Sequence, residues 1–480
     1  MKQLKYPLIF FLLIPFSLLS QEFNYWGNGV GSRSTMLAGA ITSNISDNSA
    51  IFYNPGGLSD ITNSSLSVSS YGYYYGALNI KNGAGTNFDL KSHHISTQPQ
   101  IVSFVKKVPK LPISLTFASL NRHSTYINTD YRNTMMYDVI PQIPGDELYV
   151  GSYTYTNRIK ESWFGFGYGK KIKNNLGLGF SVFGTFREQE MLMTKSADVY
   201  LPDSDTTALE IISNTFQQDN MIYRNAGILF VIGATWKYDK FRFGVNITTP
   251  RINIKFLANS YLKRNYYLNN PYNEFYGTPV KASYWENKVK SVFKSPLTVD
   301  LGIEYPLDTA TFIYGKLSFF APVKKYKILI PGEATDIDIP NGVPDIGSFT
   351  NMVLANRFVI NIASSISHKV SEKFEFLLGF KTDFNYLNKK SIDVNKEFYP
   401  GRTFWNLYHL TGGLVWRWEK FDLSLGGSYT FGIKGNIKQY VNLTSPTVDN
   451  NLYGVRDYSA KAKFNQASLF LGFTYFFSRM

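Results

Sequence analysis

Beyond residue 66 the chain divides into segments of about 10 to 15 residues in which apolar and polar side chains alternate, and the connections between these segments are by turns short and long. The segments lie near 67-78, 97-108, 113-122, 159-172, 176-190, 221-237, 241-255, 285-304, 311-321, 356-368, 374-387, 403-418, 421-433 and 463-476, about 14 strands in all. Short links are Val108 to Pro112, Lys173 to Asn175, Tyr238 to Lys240, Tyr305 to Thr309, Lys369 to Lys373 and Glu419-Lys420. Long ones fall near 79-96, 123-158, 191-220, 256-284, 322-355, 388-402 and 434-462. A soluble sandwich has no reason to collect every long loop at one end. A membrane barrel does, because its strands cross an apolar slab and return by tight periplasmic turns.

The faces agree. In 421-431, Phe421, Leu423, Leu425, Tyr429 and Phe431 share one side, with Asp422, Ser424, Gly426, Ser428 and Thr430 on the other. Phe374, Phe376, Leu378 and Phe380 alternate with Glu375, Leu377, Gly379 and Lys381, which turns charges inward, where they meet water or a partner. Ala467, Leu469, Leu471, Phe473, Tyr475 and Phe477 form an aromatic-rich last strand of the kind outer-membrane barrels present for assembly, although the chain ends Ser478-Arg479-Met480 rather than on an aromatic.

Residues 1-20 read as a secretory signal: a basic start, an apolar run from Leu8 to Leu19 and a small residue, Ser20, before Gln21. That run is too short for a spanning helix, which needs about 20 residues. There is no cysteine, hence no disulfide framework and no thiolate chemistry. The net charge of +14 comes from Lys and Arg scattered singly. This points to membrane rims facing anionic lipid and lipopolysaccharide, and away from nucleic acid. Aromatic residues make up 16% of the chain, as interfacial girdles require.

Residues 21-66 are different. From Gly31 to Leu58 the chain is small-residue-rich, neither alternates nor reads as a loop, and ends in Asn54-Pro55-Gly56-Gly57, where proline fixes φ and two glycines permit a sharp turn. A barrel of 14 strands leaves a lumen that must be filled if it is to select. The expected division is a signal at 1-20, a plug at 21-66 and an all-β transmembrane barrel at 67-480.

The stretch resembles the N-terminal hatch of the FadL family, outer-membrane channels for long-chain fatty acids and aromatic hydrocarbons, whose hatch carries a small-residue run, paired acids and Asn-Pro-Ala. Asp47, Asn54 and Pro55 match; Asn48 replaces the second acid and Gly56 the alanine. The resemblance implies an outer-membrane channel for passive uptake of hydrophobic compounds, assembled by the barrel assembly machinery. It also implies sideways exit near the third strand, yet Ile113 to Arg122 contains no Gly or Pro to mark a kink. The alternative is a related barrel that serves as a scaffold in protein secretion, binding a protein through its long outer loops. A continuous apolar path favours transport; a lumen closed by polar pairs favours the scaffold.

For ingress of a hydrophobic ligand the candidates are Tyr126, Tyr131, Met135, Met136, Tyr137, Tyr149, Tyr153 and Tyr155 in long loops. No enzyme, cofactor or metal is expected. Gly165-Phe-Gly167-Tyr-Gly169 and Gly177-Leu-Gly179 sit inside strands with no following helix, so they read as room for the plug and not as a nucleotide loop. Asp336, Asp338, Asn341 and Asp345 lack calcium-loop spacing, and His93, His94, His123, His368 and His409 form no catalytic or zinc pattern.

Overall fold

A computed structural model describes residues 22–27, 29–45, 47–108, 111–201, 210–254, 259–273, 279–332, 350–394 and 396–477. The signal segment 1-20, the acidic stretch 336-345 and the last three residues lie outside the described residues.

The strands are β1 (Ser65–Gly85), β2 (Phe88–Lys107), β3 (Ile113–Tyr137), β4 (Glu147–Lys173), β5 (Leu176–Leu201), β6 (Glu210–Tyr238), β7 (Phe241–Thr248), β8 (Ile252–Asn253), β9 (Asn259–Asn269) and β10 (Val280–Ser291). They continue with β11 (Thr298–Pro306), β12 (Thr311–Phe320), β13 (Val323–Lys327), β14 (Leu329–Ile330), β15 (Val353–Asn356), β16 (Val359–Lys369), β17 (Phe374–Asp383), β18 (Leu407–Arg417), β19 (Phe421–Ile437) and β20 (Ala460–Phe476). Among the described residues fourteen of them close an antiparallel ring in the order β1 to β7, β11, β12, then β16 to β20, with Ser65 opposite Phe476 completing it. Closure removes both sheet edges, which hydrocarbon cannot satisfy.

Outward side chains confirm the membrane. Phe164, Phe180, Ile232, Leu301, Leu317, Ile362, Leu378, Leu414, Leu425 and Leu471 are exposed around the ring. A girdle flanks them at the end with the short turns, where Phe374 stacks on Trp416 at 5.0 Å and Trp416 on Trp418 at 4.1 Å. No helix is long and apolar enough to cross a membrane among the described residues. The protein is an outer-membrane barrel.

Two expectations about the wall are corrected. The stretches 79-96, 123-158 and 191-220 are largely strand among the described residues: β1 and β2 leave only residues 86-87 between them, and β3 to β6 run 25, 27, 26 and 29 residues and carry the wall well beyond the bilayer. The reason is an inversion of pattern. Within the membrane β4 turns Phe164 outward and Gly165 and Gly167 inward, whereas farther out it turns Thr154, Thr156 and Arg158 to water and Tyr149, Tyr153 and Tyr155 inward. The segment 285-304 is also two strands, because the chain leaves β10, crosses the lumen side through Phe293, Ser295 and Pro296, and only then enters β11. β9 and β10 form an outer hairpin held on β6.

The N-terminal residues 22–61 fill the ring. They form two short helices, α1 (Ser32–Met36) and α2 (Ala50–Tyr53), and a 3₁₀ turn, Pro55–Asp60. Wall glycines admit them at backbone distance: a Cβ on Gly169 would lie 2.5 Å from Leu58 Cβ, one on Gly379 2.8 Å from Ala38 N, and one on Gly302 2.7 Å from Thr42 Cβ. The inward charge at Glu375 finds its partner here, accepting from Arg33 Nη2 at 2.9 Å and from Arg417. Burial opposes the Arg33 charge, but the Glu375 carboxylate outweighs it and holds the guanidinium ionised.

Glu375→Gln strips Arg33 of its carboxylate and should destabilise the plugged barrel by about 2 to 3 kcal/mol. Lower temperature for loss of the compact band in unboiled gel samples is the expected result; an unchanged melting point would place the pair outside the stability of the fold.

Candidate functional site

The Asn54 turn is a joint between the N-terminal segment and the wall. Asn54 is fully buried, and its Nδ2 donates to Thr42 O at 2.7 Å and to Ala234 O of β6 at 2.9 Å, while its Oδ1 accepts from Gly56 N at 2.9 Å. Pro55 opens the 3₁₀ turn against Gly179, and a Cβ on Gly56 would sit 2.9 Å from Ala234 Cα. Gly57 has ordinary clearance and closes the turn by donating to Asn54 O at 2.9 Å. Asp47 ties the segment to itself, accepting from Ser49 N at 2.8 Å and Ser34 Oγ at 3.1 Å. Gly167, Gly169, Gly177 and Gly179 do make room for Ile51, Leu58, Ser59 and Pro55.

Outward of this joint lies a cavity of about 140 Å³. Its apolar walls are Trp26, Phe52, Tyr53, Trp163, Leu229, Phe293 and Phe320. Charged side chains line it too, and several are paired with one another. Glu161 accepts from Arg187, Arg251 and the Trp163 indole at 2.7 Å each, and both guanidinium groups lie over the Phe293 ring, at 4.5 and 4.8 Å. Lys316 Nζ lies 3.2 Å from Asp300 and 5.3 Å from the Trp26 centroid. Arg122 spans Phe52 and Trp163, at 5.4 and 5.9 Å, and donates to Tyr25 O. Burial raises the Tyr53 hydroxyl far above its usual range, so it stays neutral while accepting from Val30 N at 3.2 Å. On the far side of the segment is a second cavity of about 550 Å³, polar and periplasmic, lined by Arg33, Asp47, Asp60, Glu375 and Arg417.

Arg122 reaches the first cavity because β3 is irregular there. The β3–β4 ladder slips between Asn121 and His123, and the extra residue turns inward. On the other side, the β2–β3 ladder runs from Lys107 opposite Ser114 only to Ile101 opposite Leu120. Beyond that point Pro99 has no N–H to offer, and the strands touch again through Asn128 N donating to Ser92 Oγ at 2.8 Å and Phe88 stacking on Tyr131 at 4.8 Å. The wall is notched beside the cavity.

The eight aromatic and methionine candidates divide. Tyr131, Met135, Tyr137, Tyr149, Tyr153 and Tyr155 face inward and pack into the outer chamber; Tyr149 donates to Leu452 O at 3.1 Å and Tyr155 to Glu22. Tyr126 and Met136 fall on the outward register of β3, with Tyr126 against His94 and Met136 exposed. No single surface unites them. Sequence reasoning missed Trp26, Phe52 and Trp163, although Trp163 is the large inward side chain in a strand whose next inward positions are glycine.

No protein-family model and no curated protein matches the sequence. Solved structures match the fold. A FadL homologue of Pseudomonas aeruginosa is 13% identical with a TM-score of 0.57, the match covering 95% of this chain and 100% of that one. The toluene transporter TodX of P. putida is 11% identical, with a TM-score of 0.56 and the same coverage. The toluene transporter TbuX of Ralstonia pickettii is 11% identical at 0.54, over 95% of this chain and 99% of its own.

Asn54→Ala removes three buried hydrogen bonds and should loosen the segment by about 2 to 4 kcal/mol. Protease added from the periplasmic side should then cut residues 22–61 while the barrel keeps its heat-modifiable migration. Loss of the compact band instead would assign the turn to wall assembly.

Proposed function

We propose that this barrel, which has the fold of FadL-type channels, admits small hydrophobic compounds passively, with residues 21-66 acting as its hatch and Asp47, Asn54, Pro55, Gly56 and Gly57 shaping the hatch turn. The observation that carries the reading is the aromatic-walled cavity beside the notch. At about 140 Å³ it matches the size of an engineered protein cavity that takes up benzene, about 150 Å³. A compact aromatic molecule fits it without rearrangement; a long acyl chain does not. The periplasmic cavity behind the hatch is polar and ion-paired, a poor route for such a molecule, so exit runs through the notch between β2 and β3 into the bilayer. No chemistry is proposed.

The outer chamber supports the rival scaffold reading. Loop residues dock on the wall, with Tyr440 N and Leu443 N donating to Gly83 O and Ala84 O, and the void between Leu78, Ile80, Leu90, Ile127 and Tyr153 is only about 10 Å³. Transport requires this chamber to open, whereas a scaffold keeps it shut.

Uptake of labelled toluene and of a labelled long-chain fatty acid, by cells with and without the protein, separates the readings. The expected result is protein-dependent toluene uptake that falls about tenfold in Leu229→Trp, which fills the cavity. Flat uptake of both compounds by folded protein overturns transport and favours the scaffold.

A further inference from the structure

Above the apolar belt, on the wall opposite the β9–β10 hairpin's own sector, three neighbouring strands bring lysines together. Lys81 of β1 stands directly opposite Lys461 of β20, and Asn79, one outward position nearer the membrane, stands opposite Lys463. Asn79 also faces Lys91 of β2 on its other side. All lie on the outward register, and directly paired Cβ atoms in such ladders are about 5 Å apart. Like charges placed opposite one another repel, and an anion between them relieves that repulsion. Lys81, Lys91 and Lys461 form no ion pair among the described residues. The nearby carboxylates are turned to backbone amides: Asp89 accepts from Asn82 N at 3.0 Å and Asp457 from Ser459 N at 2.9 Å.

The height of the cluster identifies what would meet it. Along β20 the outward series is Tyr475, Phe473, Leu471 and Leu469, then Ala467, Asn465, Lys463 and Lys461. Twelve residues of strand tilted by about 40° rise roughly 30 Å, which sets Lys463 just past an apolar band of about 25 Å. On β1 the order is the same, with Tyr73, then Tyr75, then Asn79 and Lys81; the exposed Ile95 borders the cluster on its membrane side, and Ile433 of β19 stands beside Lys463 at its own height. A ligand here has its charge on the lysines and its hydrocarbon on Tyr73, Leu469 and Ile95.

We propose that Lys81, Lys461 and Lys463, with Asn79 between them, form a binding site for an outer-leaflet lipid whose headgroup carries phosphate monoesters. The site is on the outer wall, independent of the lumen and of what the channel admits.

The full mature protein in detergent micelles, titrated with bis-phosphorylated lipid A, tests this. The dephosphorylated lipid and phosphatidylcholine should bind at least tenfold more weakly, a comparison that needs no variant. Lys81→Gln/Lys461→Gln/Lys463→Gln should weaken lipid A binding by about fivefold per lysine removed, and the corresponding Arg variants should retain it. Lys263→Gln/Lys281→Gln/Lys290→Gln, on the outer hairpin, should leave binding unchanged. The proposal is overturned if the phosphorylated and dephosphorylated lipids bind equally, if the hairpin variant loses as much as the cluster variant, or if millimolar inorganic phosphate displaces the lipid, which would make this a site for a free anion.

Discussion

Backbone-distance contact between the N-terminal segment and the wall is the constraint on which this structure rests. Nine of the fourteen ring strands, β4 to β7, β11 and β17 to β20, present an inward glycine at which a Cβ would collide with Ser32, Met36, Ala38, Thr42, Asn54, Pro55, Leu58 or Ser59. A ring of fourteen strands is too wide for its own side chains to fill, so the lumen is closed by a separate piece of chain. That piece fits because both surfaces are small. Larger residues on either side would force the segment away from the wall and leave voids too small for water but large enough to lose contact.

The sector with the broken ladder is among those that lack these glycine contacts, as are β12 and β16, whose ladder is continuous. β1, β2 and β3 contribute none among the described residues, and it is between β2 and β3 that backbone pairing stops at Ile101 and Leu120. The bulge at Asn121 to His123 then rotates Arg122 into the cavity wall, where its guanidinium caps Phe52 and Trp163. Two neighbouring irregularities, the end of β2–β3 pairing and the β3–β4 bulge, thus lie together on β3, and the second supplies a cation beside the cavity. The rest of the seat is rigid, since moving it would expose buried amides and carbonyls such as those held by Asn54.

Inward charges follow a consistent logic. Glu161 with Arg187 and Arg251, Asp300 with Lys316, and Glu375 with Arg33 and Arg417 are each compensated within hydrogen-bonding reach. Isolated, any of them would be costly in a dry lumen; paired, they fix which strands and which part of the N-terminal segment face one another. Glu161, Arg187, Asp300 and Lys316 line the aromatic-walled cavity, and pairing among them leaves less charge facing its space.

Much of this was legible beforehand. Strand number, the short turns at one end, the outward apolar face of Phe374 to Phe380 and the turn at Asn54 all follow from local pattern, because a strand's period and a proline's φ act within a few residues. The extension of β3 to β6 beyond the bilayer was not, since the sign of the alternation reverses where the outer medium changes from lipid to water and Thr154, Thr156 and Arg158 read as loop. Nor were the cavity or the notch. Trp26, Phe52, Trp163, Leu229 and Phe293 come from distant parts of the chain, and a one-residue slip at Asn121 carries no Gly or Pro. The sequence by itself determined a plugged, closed, membrane-spanning barrel, because burial pattern and turn chemistry are properties of short segments. Only the tertiary structure decided where the lumen is open and where the wall is weak, because both depend on which side chains and backbone groups are left unmatched once every strand has met its neighbour.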